Sequence, residues 1–378
     1  MRPGRARGSG CSGESTTGTR ESHSASEQLC LSNNSSGWAT SAKLRHSLIP
    51  HVYFKLEEAY KQARARGAEG PLDSEIDDAI KAGFLGLDHE IVISSLQTAL
   101  ETQSKQIGAQ VLGAAIAGSC ALLSFYDTRT QLLRVACTGD CRAVLGRRVG
   151  PKWSATQLSS DQTGANPDEI ARVKAEHPDE EGVTKNGRVM GYEPSRAFGD
   201  AVLKWPRETS LTLRRRFFAK WASEKCLTPP YMTAEPVITT TKIRPENGDF
   251  VVLASDSLWE MLSNEEVVGL VGRWIDEGRL TGRVAKKQAS FWDIVPWFSS
   301  GDSMTSNVQV VEIPESERPY GEGPVRPSQW GIANRPRTPV VKDVNVATHI
   351  ARNGLGGDDH DMISSLFMLA GSNTRRYR

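Results

Sequence analysis

An α+β fold built on antiparallel strands is what this sequence predicts, and three observations predict it. Helical apolar stripes come before any strand. Three short apolar runs then follow one another with only turn-like pieces between them, and the composition, 38% hydrophobic and 24% charged over 378 residues, is that of a globular chain. Strands joined by such short turns cannot be parallel neighbours, because a parallel pair needs a crossover of about a dozen residues or more. A small-molecule-binding α/β protein with a parallel central sheet is disfavoured on that ground.

Element by element, residues 1 to about 36 are rich in Ser, Gly, Thr and Arg and nearly free of large apolar side chains, so a disordered tail is expected there. From Trp38 the pattern changes: Leu44, Leu48, Val52, Leu56 and Tyr60 recur at helical spacing, with Pro50 expected to kink or divide the helix. A second helical stretch starts at Asp73, read as its N-cap, and carries Ile76, Ile80, Phe84 and Leu87, with Ile93, Leu96 and Leu100 continuing the stripe. Cys120–Tyr126, Leu132–Ala136 and Ala143–Leu145 read as consecutive antiparallel strands, with a hairpin turn at Thr138-Gly139-Asp140. Asn166, Pro167, Asp168 and Glu169 supply a cap, a first-turn proline and two first-turn acids, opening a helix to about Glu176.

Val237–Ile243 and Asp249–Ser255 are expected strands, the second buried through Val251, Val252, Leu253 and Ala254. Ser263 and Glu266 form a capping box ahead of Val267, Val268, Leu270 and Val271. Between about 278 and 342 the chain is polar and Pro-rich without periodicity, and an exposed insertion without regular pairing is expected. Asp343 then caps a helix through Val344, Ala347 and Ile350 that stops at Gly354, and a last helix covers Asp361–Leu369.

Lys plus Arg (46) against Asp plus Glu (45) leaves a net charge of +1, too little for a general nucleic-acid binder. No apolar run approaches the roughly 18 residues needed to cross a bilayer, so no transmembrane segment is expected. Arg2, Arg5, Arg7 and Arg20 lie among serines, but Glu14, Glu21 and Glu27 and the missing apolar face leave no convincing transit peptide. The six cysteines form no Cys-x-x-Cys pair, so neither zinc nor a disulfide framework is expected. Cys120, Cys137, Cys141 and Cys226 read as small buried hydrophobes, and Cys11 and Cys30 as tail thiols.

Among residues that could carry chemistry, Asp256 stands at the exit of a buried strand, where a carboxylate is fixed by the strand and open to solvent. Asp140 occupies the expected turn. Arg196 and Asp200, four apart, are expected to form a local ion pair. The glycines from Gly187 to Gly199 lack the spacing of either nucleotide-binding fingerprint.

The segments Gly139-Asp140-Cys141-Arg142-Ala143-Val144-Leu145, Ser195-Arg196-Ala197-Phe198-Gly199-Asp200 and Leu253-Ala254-Ser255-Asp256-Ser257-Leu258-Trp259-Glu260 occur in that order. In wording and order they resemble signature segments of the metal-dependent type-2C (PPM-type) protein serine/threonine phosphatases, over about residues 37–378. Asp161, the Glu169-to-Arg172 helix and Asn353-Gly354-Leu355-Gly356-Gly357 are similar to the branch of mitochondrial pyruvate dehydrogenase phosphatases, its fungal members above all. The resemblance implies two antiparallel sheets packed as a sandwich between helix pairs, with two or three Mg²⁺ or Mn²⁺ ions at one end. It implies that Asp256 binds the metal pair, that Asp140 and Glu260 help hold a weaker third ion, and that no protein nucleophile is used. The implied partner is a phosphoprotein such as pyruvate dehydrogenase, in the mitochondrial matrix.

The sequence also departs from that pattern. Where the family carries Asp-Gly-His-x-Gly, with the metal-bridging Asp, this chain has Ser32-Asn33-Asn34-Ser35-Ser36 ahead of Gly37, and Ser257 replaces a usual Gly. The family's upstream strands and phosphate-binding Arg, and an acidic segment beyond Arg378, are also expected to be missing. The domain is therefore expected to be incomplete at both ends, with metal affinity impaired and little or no turnover, and to be either an incomplete version of an active phosphatase or a non-catalytic pseudophosphatase that binds a partner.

Overall fold

The structure, a computed structural model, describes residues 25–33, 37–217, 219–220, 222–277, 310–311 and 339–368. Strand β1 (Ala25–Asn33) leads into α1 (Trp38–Ala65), α2 (Asp73–His89), a π-helical turn at Glu90–Ser94, α3 (Ser95–Glu101) and α4 (Lys105–Ile116). Four strands follow: β2 (Gly118–Asp127), β3 (Leu132–Thr138), β4 (Arg142–Val149) and β5 (Lys152–Gln157). Next come α5 (Pro167–Glu176), the small pair β6 (Thr184–Lys185) and β7 (Arg188–Val189), β8 (Phe198–Gly199) and α6 (Arg207–Phe217). The remainder is β9 (Val237–Lys242), β10 (Phe250–Ala254), α7 (Asp256–Met261), α8 (Asn264–Asp276), β11 (Val310–Val311), α9 (Val346–Leu355) and α10 (His360–Met368).

One sheet has the order β1-β2-β3-β9, with β8 joined to the start of β2, and the other has the order β10-β4-β5-β11. Period-2 alternation decides what each strand face touches. Cys120 and Leu122 of β2 and Val135 and Cys137 of β3 meet Ala143 and Leu145 of β4 and Val251 and Leu253 of β10, which closes the two sheets face to face. The intervening residues Ala121, Leu123, Phe125 and Ala136 turn the other way, onto Leu44, Leu48, Val52, Ile80 and Phe84 of α1 and α2. Val144, Trp153 and Ala155 likewise face α8 through Val267, Val268 and Val271. The result is a helix–sheet–sheet–helix sandwich, as the family resemblance implies. Each fully buried Leu, Val or Phe contributes about 1.5–3 kcal/mol to it. No helix among the described residues is long and apolar enough to cross a membrane.

Several expectations are corrected. The disordered tail was expected to run through residue 36, yet residues 25–33 form β1, paired along its length with β2 from Ala25↔Asp127 to Asn33↔Ser119. Backbone pairing, which needs no apolar side chains, is what a composition argument overlooks. Pro50 does not divide α1, which is continuous through it. Leu48 and Val52 on either side are fully buried, and a Cβ on Gly83 of α2 would sit 2.7 Å from Val52 Cα, so close packing holds the turn that lacks one hydrogen bond.

Asp73 is not a cap: Leu72 holds that position, its N–H donates to Glu75 Oε2 at 2.7 Å, and Asp73 instead ion-pairs with buried Arg134 of β3. Helix α4, rich in Gly and Ala, has no counterpart among the expected elements. The supposed hairpin at Thr138–Asp140 is a crossing, because β3 and β4 lie in different sheets. Strand β10 is half-buried because it forms an edge of its sheet. Val310 and Val311 pair in parallel with Trp153 and Ser154, a regular pairing inside the segment expected to have none. Most of that segment lies outside the described residues. Asn345, not Asp343, caps α9, accepting from Ala347 N–H at 2.9 Å, while Asp343 pairs with Arg352. The helix runs on through Gly354 to Leu355.

Candidate functional site at the strand ends

Strand topology brings the acidic residues to one end of the sandwich. Asp140 lies in the link from β3 to β4, Asp161 follows β5, and Asp256 opens α7 directly after β10. Ala254, the last residue of β10, is in register with Arg142, the first of β4, which sets Asp256 beside the link. The link is held from behind: Gly139 N–H donates to Gln162 Oε1 at 2.7 Å, and Gln162 Nε2 donates to Cys137 O at 2.9 Å.

Asp140 is only partly exposed, and the Cys120 thiol donates to its Oδ1 at 3.1 Å. Burial first, and then the Asp256 carboxylate, push the Asp140 carboxyl from its ordinary 3.8 up to about 7, with Asp161 adding to the effect. Cys120 responds in turn. A hydrogen bond from Cys141 works to lower it, but burial and the Asp140 charge prevail and push the thiol up to about 11. Glu260, exposed one turn along α7 from Asp256, is raised by partial burial and then by Asp256 and Glu193. Asp256 therefore makes both Asp140 and Glu260 harder to ionise.

Buried Arg142 bounds this cluster. Its Nε donates to Asp161 Oδ1 at 3.1 Å and its Nη2 to Asp161 Oδ2, while Nη1 donates to Asn264 Oδ1 at 3.0 Å. The guanidinium also stands 5.5 Å from the Trp259 ring centre. One side chain thus joins β4, the loop after β5, α7 and α8.

The expected Arg196–Asp200 pair is not formed. Arg196 Nε donates to Glu169 Oε1 at 2.9 Å and Nη1 to Glu235 O at 2.8 Å, because α5 presents Glu169 to it. Ser195 and Arg172 bond to the same carboxylate, at 2.7 and 2.9 Å. Burial pushes Glu169 up, but Arg196 and Arg172 outweigh it and hold the carboxyl below its usual range. Asp200 lies buried against Gly118 instead.

All three residues singled out from the sequence, Asp256, Asp140 and Glu260, are therefore gathered at this end. Cys120 and Gln162 went unnoticed as site residues because an isolated Cys or Gln carries no local signal. Arg142 was visible only as part of a segment. The donor set does not fit the two- or three-ion centre that the resemblance implies. One Asp140 oxygen is engaged by a thiol, Asp161 is engaged by Arg142, and among the described residues no group of three or more His, Cys, Asp or Glu side chains is placed to hold a metal ion.

Comparison with known proteins bears on the same segments. Residues 13–291 match the family described as Protein phosphatase 2C. A protein phosphatase 2C homolog of Schizosaccharomyces pombe is 37% identical over 346 residues, covering 91% of this chain and 69% of that protein. The mitochondrial [pyruvate dehydrogenase [acetyl-transferring]]-phosphatase 1 of Saccharomyces cerevisiae is 36% identical over 347 residues, covering 90% of this chain and 58% of that protein. The human mitochondrial phosphatase 1 of the same description is 30% identical over 330 residues, covering 81% and 53%. The chain thus spans little more than half the length of the two pyruvate dehydrogenase phosphatases. The solved serine-threonine phosphatase 2C of Toxoplasma gondii aligns at a TM-score of 0.45 and 16% identity, over 67% of this chain and 75% of that one.

Proposed function

This chain belongs to the protein phosphatase 2C family, and from that premise we propose that it is built to bind a phosphoserine-bearing segment of a dehydrogenase complex such as pyruvate dehydrogenase, in the mitochondrial matrix, and to hydrolyse it weakly. The substrate class is supported by what its relatives are named for. The observation that carries the reading is the gathering of Asp140, Asp256 and Glu260 at one end of the sandwich, where the Asp256 charge raises the carboxyls of the other two. The Asp256 charge that raises its neighbours favours a divalent cation, Mg²⁺ or Mn²⁺, and in this proposal Asp256 and the second oxygen of Asp140 hold it, Glu260 adding charge without completing a three-ligand site. Because the remaining donors are engaged elsewhere, binding of the ion is weak and turnover is low.

A second reading, a pseudophosphatase that binds its partner without hydrolysing it, is favoured by the same shortage of donors. Phosphate release from a phosphoserine peptide, measured with and without Mn²⁺, separates the two. Slow Mn²⁺-stimulated release that disappears in Asp256→Ala supports the phosphatase and ends the pseudophosphatase reading. No release at any Mn²⁺ concentration, with peptide binding retained, does the reverse. Release that is indifferent to Asp256→Ala removes this site from both.

A further inference from the structure

A basic ridge on α6 and the segment after it has no part in the site described above. Between residues 204 and 225 the chain carries seven Lys and Arg against two acids, Glu208 and Glu224, while the whole chain is only +1. At least three of the seven are tied to the body of the fold: Lys204 pairs with buried Asp88 at 2.7 Å, Arg207 lies 3.6 Å from Glu224, and Arg216 bonds to backbone carbonyls. Arg214, Arg215, Lys220 and Lys225 are exposed.

The ridge is rigidly mounted. Ser210, Leu213 and Phe217 form the buried face of α6, and a Cβ on Gly108 of α4 would sit 2.1 Å from the Phe217 ring. Arg216 donates to Leu100 O at 2.9 Å and to Thr102 O at 2.8 Å, pinning the last turn of α6 to the segment between α3 and α4. Arg214 and Arg215 therefore project from a fixed base. Cations in the last turn suit the helix dipole, but Arg216 already supplies one, and Lys220 and Lys225 lie beyond the helix.

The ridge also reaches the strand ends. Burial pushes the Asp200 carboxyl up, and the charges of Lys204 and Lys220 pull it back, which sets Lys220 in the neighbourhood of Asp200. A Cβ on Gly118 would lie 1.8 Å from Asp200 Oδ2, and Gly118 is two residues from Cys120, the thiol that donates to Asp140. Lys204 is tied through Asp88 to Gly199 of β8, which pairs with Gly118 at the start of β2, so the basic segment begins beside the strand that carries Cys120.

We infer that this ridge docks an acidic segment of the phosphoprotein partner, its Asp and Glu side chains flanking the phosphoserine. Carboxylates suit a row of spaced, solvated cations, which complement charge without demanding one fixed geometry. The inference rests on the phosphoserine reading above, and its test keeps the two apart. Fluorescence anisotropy would follow four labelled peptides: an acidic phosphopeptide, the same peptide unphosphorylated, and the Asn/Gln counterparts of both. The acidic peptides should bind about tenfold more tightly than their neutral counterparts at low salt, and the difference should fade as salt shortens the Debye length. The triple variant Arg214→Glu, Arg215→Glu, Lys220→Glu should reduce acidic peptides to the neutral level. The milder Arg214→Gln, Arg215→Gln pair should fall between, and circular dichroism checks that both variants fold.

Equal affinity for acidic and neutral peptides, or a triple variant that binds acidic peptides as the wild type does, would overturn the inference. So would a triple variant that loses binding to phosphatidylserine vesicles while acidic peptides still bind. Acidic preference without any preference for phosphate supports the ridge and counts against the phosphoserine reading instead.

Discussion

Replacing Asp256 by Asn keeps the shape of the side chain and removes one of the charges that push Asp140 up to about 7. The sign of the effect on stability follows from linkage. Between pH 3.8 and about 7 the folded protein holds a proton on Asp140 that the unfolded chain has released, so raising the pH through that window costs stability. Burial is the larger cause and is untouched by the substitution. If the Asp256 charge accounts for about one pKa unit, its removal restores about 1.4 kcal/mol at pH 8 and almost nothing at pH 4.5, where Asp140 is protonated in either protein. Asp256 also stands in the first turn of α7, and losing its charge there costs about 0.3–1 kcal/mol. The stability of Asp256→Asn relative to wild type should therefore rise by about 1 kcal/mol between pH 4.5 and pH 8. Urea unfolding followed by tryptophan fluorescence reads this directly. A difference that is flat with pH, or that falls as pH rises, would refute the coupling of the two carboxylates.

Three further outcomes are expected. Calorimetric titration of Mn²⁺ should give a single weak event that strengthens as pH rises through about 7, because Asp140 must release its proton to bind; two tight sites would mean that the ligands lie elsewhere. Gly118→Ala should destabilise the fold by roughly 3 kcal/mol or more in thermal melts, since its Cβ would meet Asp200 at 1.8 Å, and shortening that side chain with Asp200→Gly should recover most of the loss. Glu169→Gln should cost about 3 kcal/mol by leaving Arg196 without its carboxylate and Arg172 with only Glu176. Because Glu169 is held below its ordinary 4.5, its contribution is present above that pH and is lost in acid, so wild type and variant should converge in acid melts.

Where side chains alone determine the structure, the sequence was readable. The stripe Leu44–Leu48–Val52–Leu56, the Asn166–Pro167 helix start and the Ser263/Glu266 capping box all appear as expected, since each depends on neighbours within a few residues. What stayed hidden depends on distant partners. Strand β1 is ordered by the edge of β2, about ninety residues away, and its own Ser, Glu, Gln and Asn give no strand signal. Asp73 faces Arg134, and Arg196 faces Glu169 rather than the nearer Asp200, because buried charges pair across the fold with whatever the topology presents. The acidic residues of the site were legible through the wording of three segments. Their gathering at one end came only through the resemblance; no local pattern gives it, because it requires β3 to leave one sheet and β4 to enter the other.

That crossing has a consequence for how the site can vary. Asp140 hangs from the passage between the sheets and Asp256 from the far end of β10, so no single rigid element carries both carboxylates. Asp256 is placed by the pairing of β10 with β4, while the passage that carries Asp140 also spans the layer between the sheets, where Val135, Cys137, Leu145, Val251 and Leu253 interlock. The interior filling anchors one end of that passage, so the position of Asp140 depends on uncharged residues as well as on the strand pairing that places Asp256.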